Sequence, residues 1–199
     1  MEKNKTTLGL NLPTDPRWAN IAEMQINEIL IDHAYCEQKA ASSGISLIVS
    51  YPDKPELVET MTALVSEEWG HFKRVLKKMK ARDIVLGPKR KDEYVSAINS
   101  ILKKGGSREQ QLVEKLLLNA LIEARSCERF KLLWKNIDDK DLADFYHELM
   151  ISEAGHYHTF LDLAKLYYDE AYVMHRWNEF LVAEAEIIAG LEARPDRMH

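Results

Sequence analysis

Glu67-EWGHF-Lys73 and Ser152-EAGHYH-Thr159 each set a carboxylate and an imidazole three residues apart, Glu68 with His71 and Glu153 with His156. On a helix that spacing puts both side chains on one face, where they can reach the same metal ion or two adjacent ones. The motif by itself is weak, because 20 Glu and 7 His in 199 residues supply about 0.7 Glu-x-x-His pairs by chance. Position is what distinguishes these two. Each lies mid-helix on an apolar stripe, and each has a glutamate one helix length upstream: Glu37 is 31 residues before Glu68, and Glu123 is 30 before Glu153. In an antiparallel hairpin that separation returns the chain to the same height, so two helical hairpins would each bring two carboxylates and one histidine to one level.

Working outward, the punctuation of the chain supports helices throughout. Thr14-Asp15-Pro16 offers a cap and a first-turn proline, and small or apolar residues then recur at Ile26, Leu30, Ala34, Ala41 and Ile48, which predicts a first helix over about 16–50. Tyr51-Pro-Asp-Lys-Pro55 breaks it, and a second helix is predicted over about 55–82, with Leu57, Met61, Leu64, Val65, Trp69, Phe72 and Leu76 inward. After Gly87-Pro88 a short helix near 91–104 leads to Gly105-Gly106, and Ser107-x-x-Gln110 is a capping box for a helix over about 107–136. The Asn136-Ile-Asp-Asp139 turn leads to a helix over about 139–168, and a last one covers about 170–191. No segment sustains two-residue alternation. The reading is an all-α, ferritin-like four-helix bundle with additional short helices, one domain over 1–199 with a short extension at about 1–15 and an accessory C-terminal helix.

Composition agrees: glycine and proline are few, at 8 and 6, and 46% of residues are hydrophobic, enough for one substantial core. The first residues lack the apolar stretch of a secretory signal and no run approaches the ~20 apolar residues of a membrane span, so a soluble cytoplasmic protein without a membrane partner is expected. Cys36 and Cys127 lack CxxC spacing and read as free thiols.

Face assignments carry the site. Glu37 shares its face with Ile26, Leu30, His33, Ala40 and Gly44, and Glu123 shares its face with Leu116, Ala120, Cys127, Phe130 and Trp134. Buried carboxylates without a counter-charge cost several kcal/mol each, so four of them with two histidines call for divalent cations. Carboxylates and imidazoles without thiolate suit iron, or manganese as the lesser choice, over Cu(I), structural zinc or calcium. A faint repeat relates Leu30-IDHAYCEQ-Lys39 to Leu121-IEARSCER-Phe130, but it aligns Glu37 with Glu128 and Asp32 with Glu123, so it leaves the register open. Glu123 is favoured because Glu128 falls on a face with Lys131 and Lys135. His33, four residues before Glu37, is either a partner of that ligand or a core histidine; His147, His158 and His175 fit no ligand spacing.

The net charge of -5 argues against a nucleic-acid partner, yet its distribution does not. Between Lys73 and Lys91 stand Lys73, Arg74, Lys77, Lys78, Lys80, Arg82, Lys89, Arg90 and Lys91 against Asp83 alone, a local charge of +8. Such a run is either a solvated helix face or a phosphate-binding surface.

Taken together, Leu12-PTDPRW-Ala19, Leu30-IDHAYCEQKAA-Ser42, Glu67-EWGHF-Lys73, Leu121-IEARSCERF-Lys131 and Ser152-EAGHYH-Thr159 resemble the MiaE-type tRNA hydroxylases, members of the ferritin-like di-iron superfamily. The resemblance implies a non-haem di-iron monooxygenase that uses O2 as co-substrate to hydroxylate the isopentenyl group of 2-methylthio-N6-isopentenyladenosine beside the tRNA anticodon. It implies two iron ions on Glu37, Glu68, His71, Glu123, Glu153 and His156, and an external electron donor, a ferredoxin or reductase. With a tRNA substrate, the basic run at Lys77, Lys78, Lys80, Arg82, Lys89, Arg90 and Lys91 is expected to lie beside the cavity mouth and contact tRNA phosphates. The residue before each motif glutamate is Glu67 or Ser152, not the aspartate of several other di-iron enzymes, which leaves the hydrogen-bond partners of His71 and His156 unassigned. A ferritin-like peroxidase or small-molecule hydroxylase, and an iron-storage subunit, use the same ligand types; the oligomeric state is open.

Overall fold

The computed structural model describes residues 7–191 and 196–198, and among them every regular element is helical. After a 3-10 turn at Thr7–Gly9 come α1 (Arg17–Met24), α2 (Ile26–Ser50), α3 (Pro55–Lys80), α4 (Glu93–Ile98, continued by a 3-10 turn at Asn99–Ile101), α5 (Arg108–Asn136), α6 (Lys140–Tyr167) and α7 (Glu170–Gly190). No described helix is long and apolar enough to cross a membrane.

The punctuation works as the residues suggest. Pro55 opens α3 in its first turn. Ser107 and Gln110 form both bonds of the capping box on α5. Asp139 and Asp169 accept from the backbone N–H of Leu142 and Tyr172 to cap α6 and α7. One boundary differs: the single helix expected over 16–50 is two, broken at Gln25, which leaves the helical region at φ -128° and ψ 40°. Trp18, Ala19 and Ala22 form the buried stripe of α1 and Ile29 and Leu30 resume it in α2. An unbroken helix would carry Gln25 onto that stripe, at the 18, 22, 25, 29 spacing, so the break keeps an amide out of the core.

The chain divides into two compact units. One, residues 21–91 with 194–198, is built on the α2–α3 hairpin. The two helices approach so closely at Gly44 that a Cβ there would stand 2.6 Å from Val65 Cγ2, which is why glycine occupies this position. The C-terminal segment of this unit is tied to α2, Met198 N–H donating to Asp32 at 2.8 Å. The inward face of α3 is Leu57, Met61, Leu64, Glu68, His71, Val75 and Met79. The expected inward face was rotated from this one: Val65, Phe72 and Leu76 are half-buried and Trp69 is 46% exposed.

The other unit, residues 1–20 with 92–193, is built on the α5–α6 hairpin, against which α7 packs. Its interior holds charges as well as Leu116, Leu117, Phe130, Tyr146 and Phe160. Arg125, fully buried, bonds Glu184 of α7 through Nε at 2.8 Å, Thr14 Oγ1 at 3.0 Å and the Leu12 carbonyl at 2.9 Å, and pairs with Glu128. Thr14 also donates to Glu128 from its backbone N–H at 3.1 Å and its hydroxyl at 2.7 Å. Tyr94 donates to Glu184 at 3.3 Å, and the guanidinium of Arg129 lies 4.2 Å from the centre of the Trp18 ring. The stretches 12–19 and 121–131 therefore lock together.

Candidate metal centre

In the α2–α3 hairpin, Glu37 comes from α2 and Glu68 and His71 from successive turns of α3. All three are buried, at 4%, 1% and 5% exposure. His71 Nδ1 lies 3.6 Å from Glu37 Oε2 and 3.7 Å from Glu68 Oε2, and one ligand atom from each of the three lies within 4.8 Å of the others. His33, also buried, is bonded through Nε2 to Glu37 Oε1 at 2.6 Å. Of the two roles open to it in the sequence, the structure gives it both: it is a core histidine and it fixes the Glu37 carboxylate.

The α5–α6 hairpin holds the counterpart. Glu123 of α5 with Glu153 and His156 of α6 are buried and again offer ligand atoms within 4.8 Å of one another, with His156 Nδ1 3.2 Å from Glu153 Oε2. Each hairpin thus presents two carboxylates and one imidazole, donors that match the preference of iron or manganese. Cys127 adds no thiolate. Its Sγ donates to the Met150 carbonyl, and burial, with Glu153 as the next cause, pushes its pKa up to about 12. An oxygen- and nitrogen-ligated metal fits these residues.

Glu128 is not on an outward face with Lys131 and Lys135, as its spacing suggested. It is buried, and its Oε2 is engaged by Thr14 and Arg125. Of the other histidines, His147 stacks on Trp134 with ring centres 4.1 Å apart, while His158 and His175 are exposed.

The basic run separates into two kinds. Lys77, Lys78 and Lys80 sit in the last turn of α3, where cations favour the helix C-terminus, and Lys77, Lys80, Lys89 and Lys91 are exposed. Arg82 Nη1 donates to the Lys78 carbonyl at 3.2 Å. Arg90 is drawn into the fold: it pairs with Glu28 and stands 3.8 Å from Asp196. Sequence reasoning missed the Arg125 cluster and its analogue, in which Arg176 bonds Glu114 at 2.6 Å and the Ile101 carbonyl at 2.5 Å. The available signal was arginine on an otherwise apolar helix face.

The sequence model of the family described as tRNA-(MS[2]IO[6]A)-hydroxylase (MiaE) matches residues 2–199. The chain belongs to the MiaE family. Two relatives named tRNA 2-(methylsulfanyl)-N(6)-isopentenyladenosine(37) hydroxylase agree. The one from Pseudomonas putida is 39% identical over 90% of this chain and 86% of its own length. The one from Salmonella typhimurium is 29% identical over 94% and 85%. A solved structure, protein 43 with aldehyde deformylating oxygenase activity from Synechococcus, matches this MiaE-family chain with a TM-score of 0.90 and 34% identity, covering 96% of the chain and 94% of its own. The fold is the ferritin-like four-helix bundle with additional helices that the sequence predicted.

Proposed function

We propose that this chain is a cytoplasmic di-iron monooxygenase that hydroxylates the isopentenyl group of 2-methylthio-N6-isopentenyladenosine in the tRNA anticodon loop. The observation that carries the reading is the pair of buried Glu, Glu, His clusters, one per hairpin, in a chain matched along its length by the MiaE family. In this reading Glu37, Glu68 and His71 on one hairpin and Glu123, Glu153 and His156 on the other are the residues that would hold the two iron ions. When bound, the metal pair supplies the reduction chemistry that lets O2 attack an unactivated C–H bond. The balance is one C–H bond and O2, with two electrons and two protons, giving one alcohol and one water. The electrons come from an external ferredoxin or reductase. The protein's own part is positional: the six side chains fix the donor geometry, His33 holds the Glu37 carboxylate, and the buried setting excludes water. The target base leaves the loop stack to reach the site.

The test is isotopic. Reduced, iron-loaded protein turned over under 18O2 with hypomodified tRNA is expected to place one labelled oxygen in the nucleoside. Label confined to water, with tRNA unchanged, overturns the assignment. The likeness to a structure with aldehyde deformylating oxygenase activity favours one other reading, an oxygenase acting on a small aldehyde. Aldehyde consumption by the same preparation, with no tRNA product, selects it.

A further inference from the structure

Trp69 lies inside the first Glu-x-x-His motif yet is 46% exposed, while Glu68 and His71 on either side are buried. Its ring stands 4.8 Å from that of Phe72, centre to centre, at 33°. Four and eleven residues further on, on the same helix face, are the exposed Lys73 and Lys80. A single exposed aromatic is ordinary. An aromatic pair continued by lysines along one stripe, at the start of a segment of charge +8, has the two components that single-stranded nucleic acid requires: a flat apolar surface for bases and cations for phosphates.

We propose that this face of α3 is the docking platform for the unpaired anticodon loop, with a base stacking on Trp69 and the loop backbone following Lys73 and Lys80. This rests on the tRNA reading above and deepens it. It gives Trp69 an anchoring role: by holding one base on the exposed face of α3 it fixes the register of the loop along the Lys73–Lys80 stripe. RNA is favoured over a protein partner because the lysine stripe complements a phosphate chain without needing an acidic surface of matching shape.

The experiment compares wild type, Trp69→Ala and Trp69→Phe, iron-loaded, binding a fluorescent anticodon stem-loop RNA across a salt series, with iron content and Tm measured on each. Trp69→Ala is expected to weaken binding by a factor on the order of 5–150, the range stacking spans, while leaving the salt slope unchanged. Trp69→Phe is expected to keep most of the affinity. Lys73→Ala or Lys80→Ala is expected to lower the slope by somewhat under one unit each. Unchanged affinity of Trp69→Ala, in a preparation that still hydroxylates tRNA, overturns the platform and leaves the function standing. A raised KM for the electron donor with RNA binding intact overturns it in favour of a reductase-docking face. If wild type binds no RNA, the platform and the tRNA reading fall together.

Discussion

Replacing Arg125 by methionine removes a buried charge while nearly conserving volume, and leaves Glu128 and Glu184 buried with their shared cation gone. Breaking one side of a buried ionic cluster costs about 3–5 kcal/mol, and that range includes the bonds to Thr14 and Leu12. At roughly 2–4 °C per kcal/mol for a domain of this size, Tm should fall by about 6–20 °C. The loss has a pH signature. Burial already pushes the Glu184 carboxyl above its usual range, with Arg125 as the main opposing influence. Without Arg125 that rise grows. A carboxylate whose folded pKa lies above its unfolded value destabilises the fold once ionised, and the penalty lessens as pH falls and the group takes up its proton. The deficit measured by thermal unfolding should therefore be larger at about pH 8 than at about pH 5.5. Replacing the whole cluster, R125M with E128Q and E184Q, should recover part of the stability. A Tm drop under about 2 °C, or one of equal size at both pH values, would refute this account of the cluster.

At the metal centre, Glu68→Ala or Glu153→Ala should lose most bound iron by elemental analysis while circular dichroism stays nearly unchanged. Glu123→Gln should likewise lose iron, whereas Glu128→Gln should keep it and lower Tm, because Glu128 anchors Thr14 and Arg125; the reverse pattern would move the ligand to Glu128. Gly44→Ala should destabilise by about 1–3 kcal/mol in chemical denaturation, since the new methyl meets Val65 Cγ2, and Val65→Ala on the same chain should restore part of the loss. Charge reversal at Lys89 and Lys91 should reduce tRNA affinity and its salt slope, while Arg90→Gln should register in Tm instead, because Arg90 is paired with Glu28.

The long helices were legible because their signals are local. Pro55, the Ser107–Gln110 box and the caps at Asp139 and Asp169 each fix a terminus through neighbours in sequence. Gln25 shows where locality fails: no glycine or proline marks the break, which is decided by the face the side chain would occupy after another turn. The rotated face of α3 has a related cause. Reading Trp69, Phe72 and Leu76 as core followed their hydrophobicity, but the stripe through Leu57, Met61, Leu64 and Val75 includes Glu68 and His71, polar residues that count against an apolar pattern although they are buried. Both clusters were found from spacing. Glu37 to Glu123 is 86 residues, and Glu68 to Glu153 and His71 to His156 are 85 each, so the two hairpins repeat at nearly the same interval. The stretches Leu30-IDHAYCEQ and Leu121-IEARSCER repeat at 91, which is why their alignment pointed at Glu128. Arg125 stayed hidden because its partners, Leu12, Thr14 and Glu184, are distant along the chain.

That distance also sets a timetable for synthesis. Thr14 leaves the ribosome 114 residues ahead of Glu128, and Asp32 leads Met198 by 166. At about 5–20 residues per second, the nascent chain waits roughly 6–20 s for the first of these clasps and about 8–30 s for the second. During that interval the segment around Leu10 and Trp18, whose side chains are each 1% exposed in the finished fold, has no α5 to close against. A stalled or slowly translated message would lengthen its exposure, so this segment is where a chaperone would find the growing polypeptide most accessible.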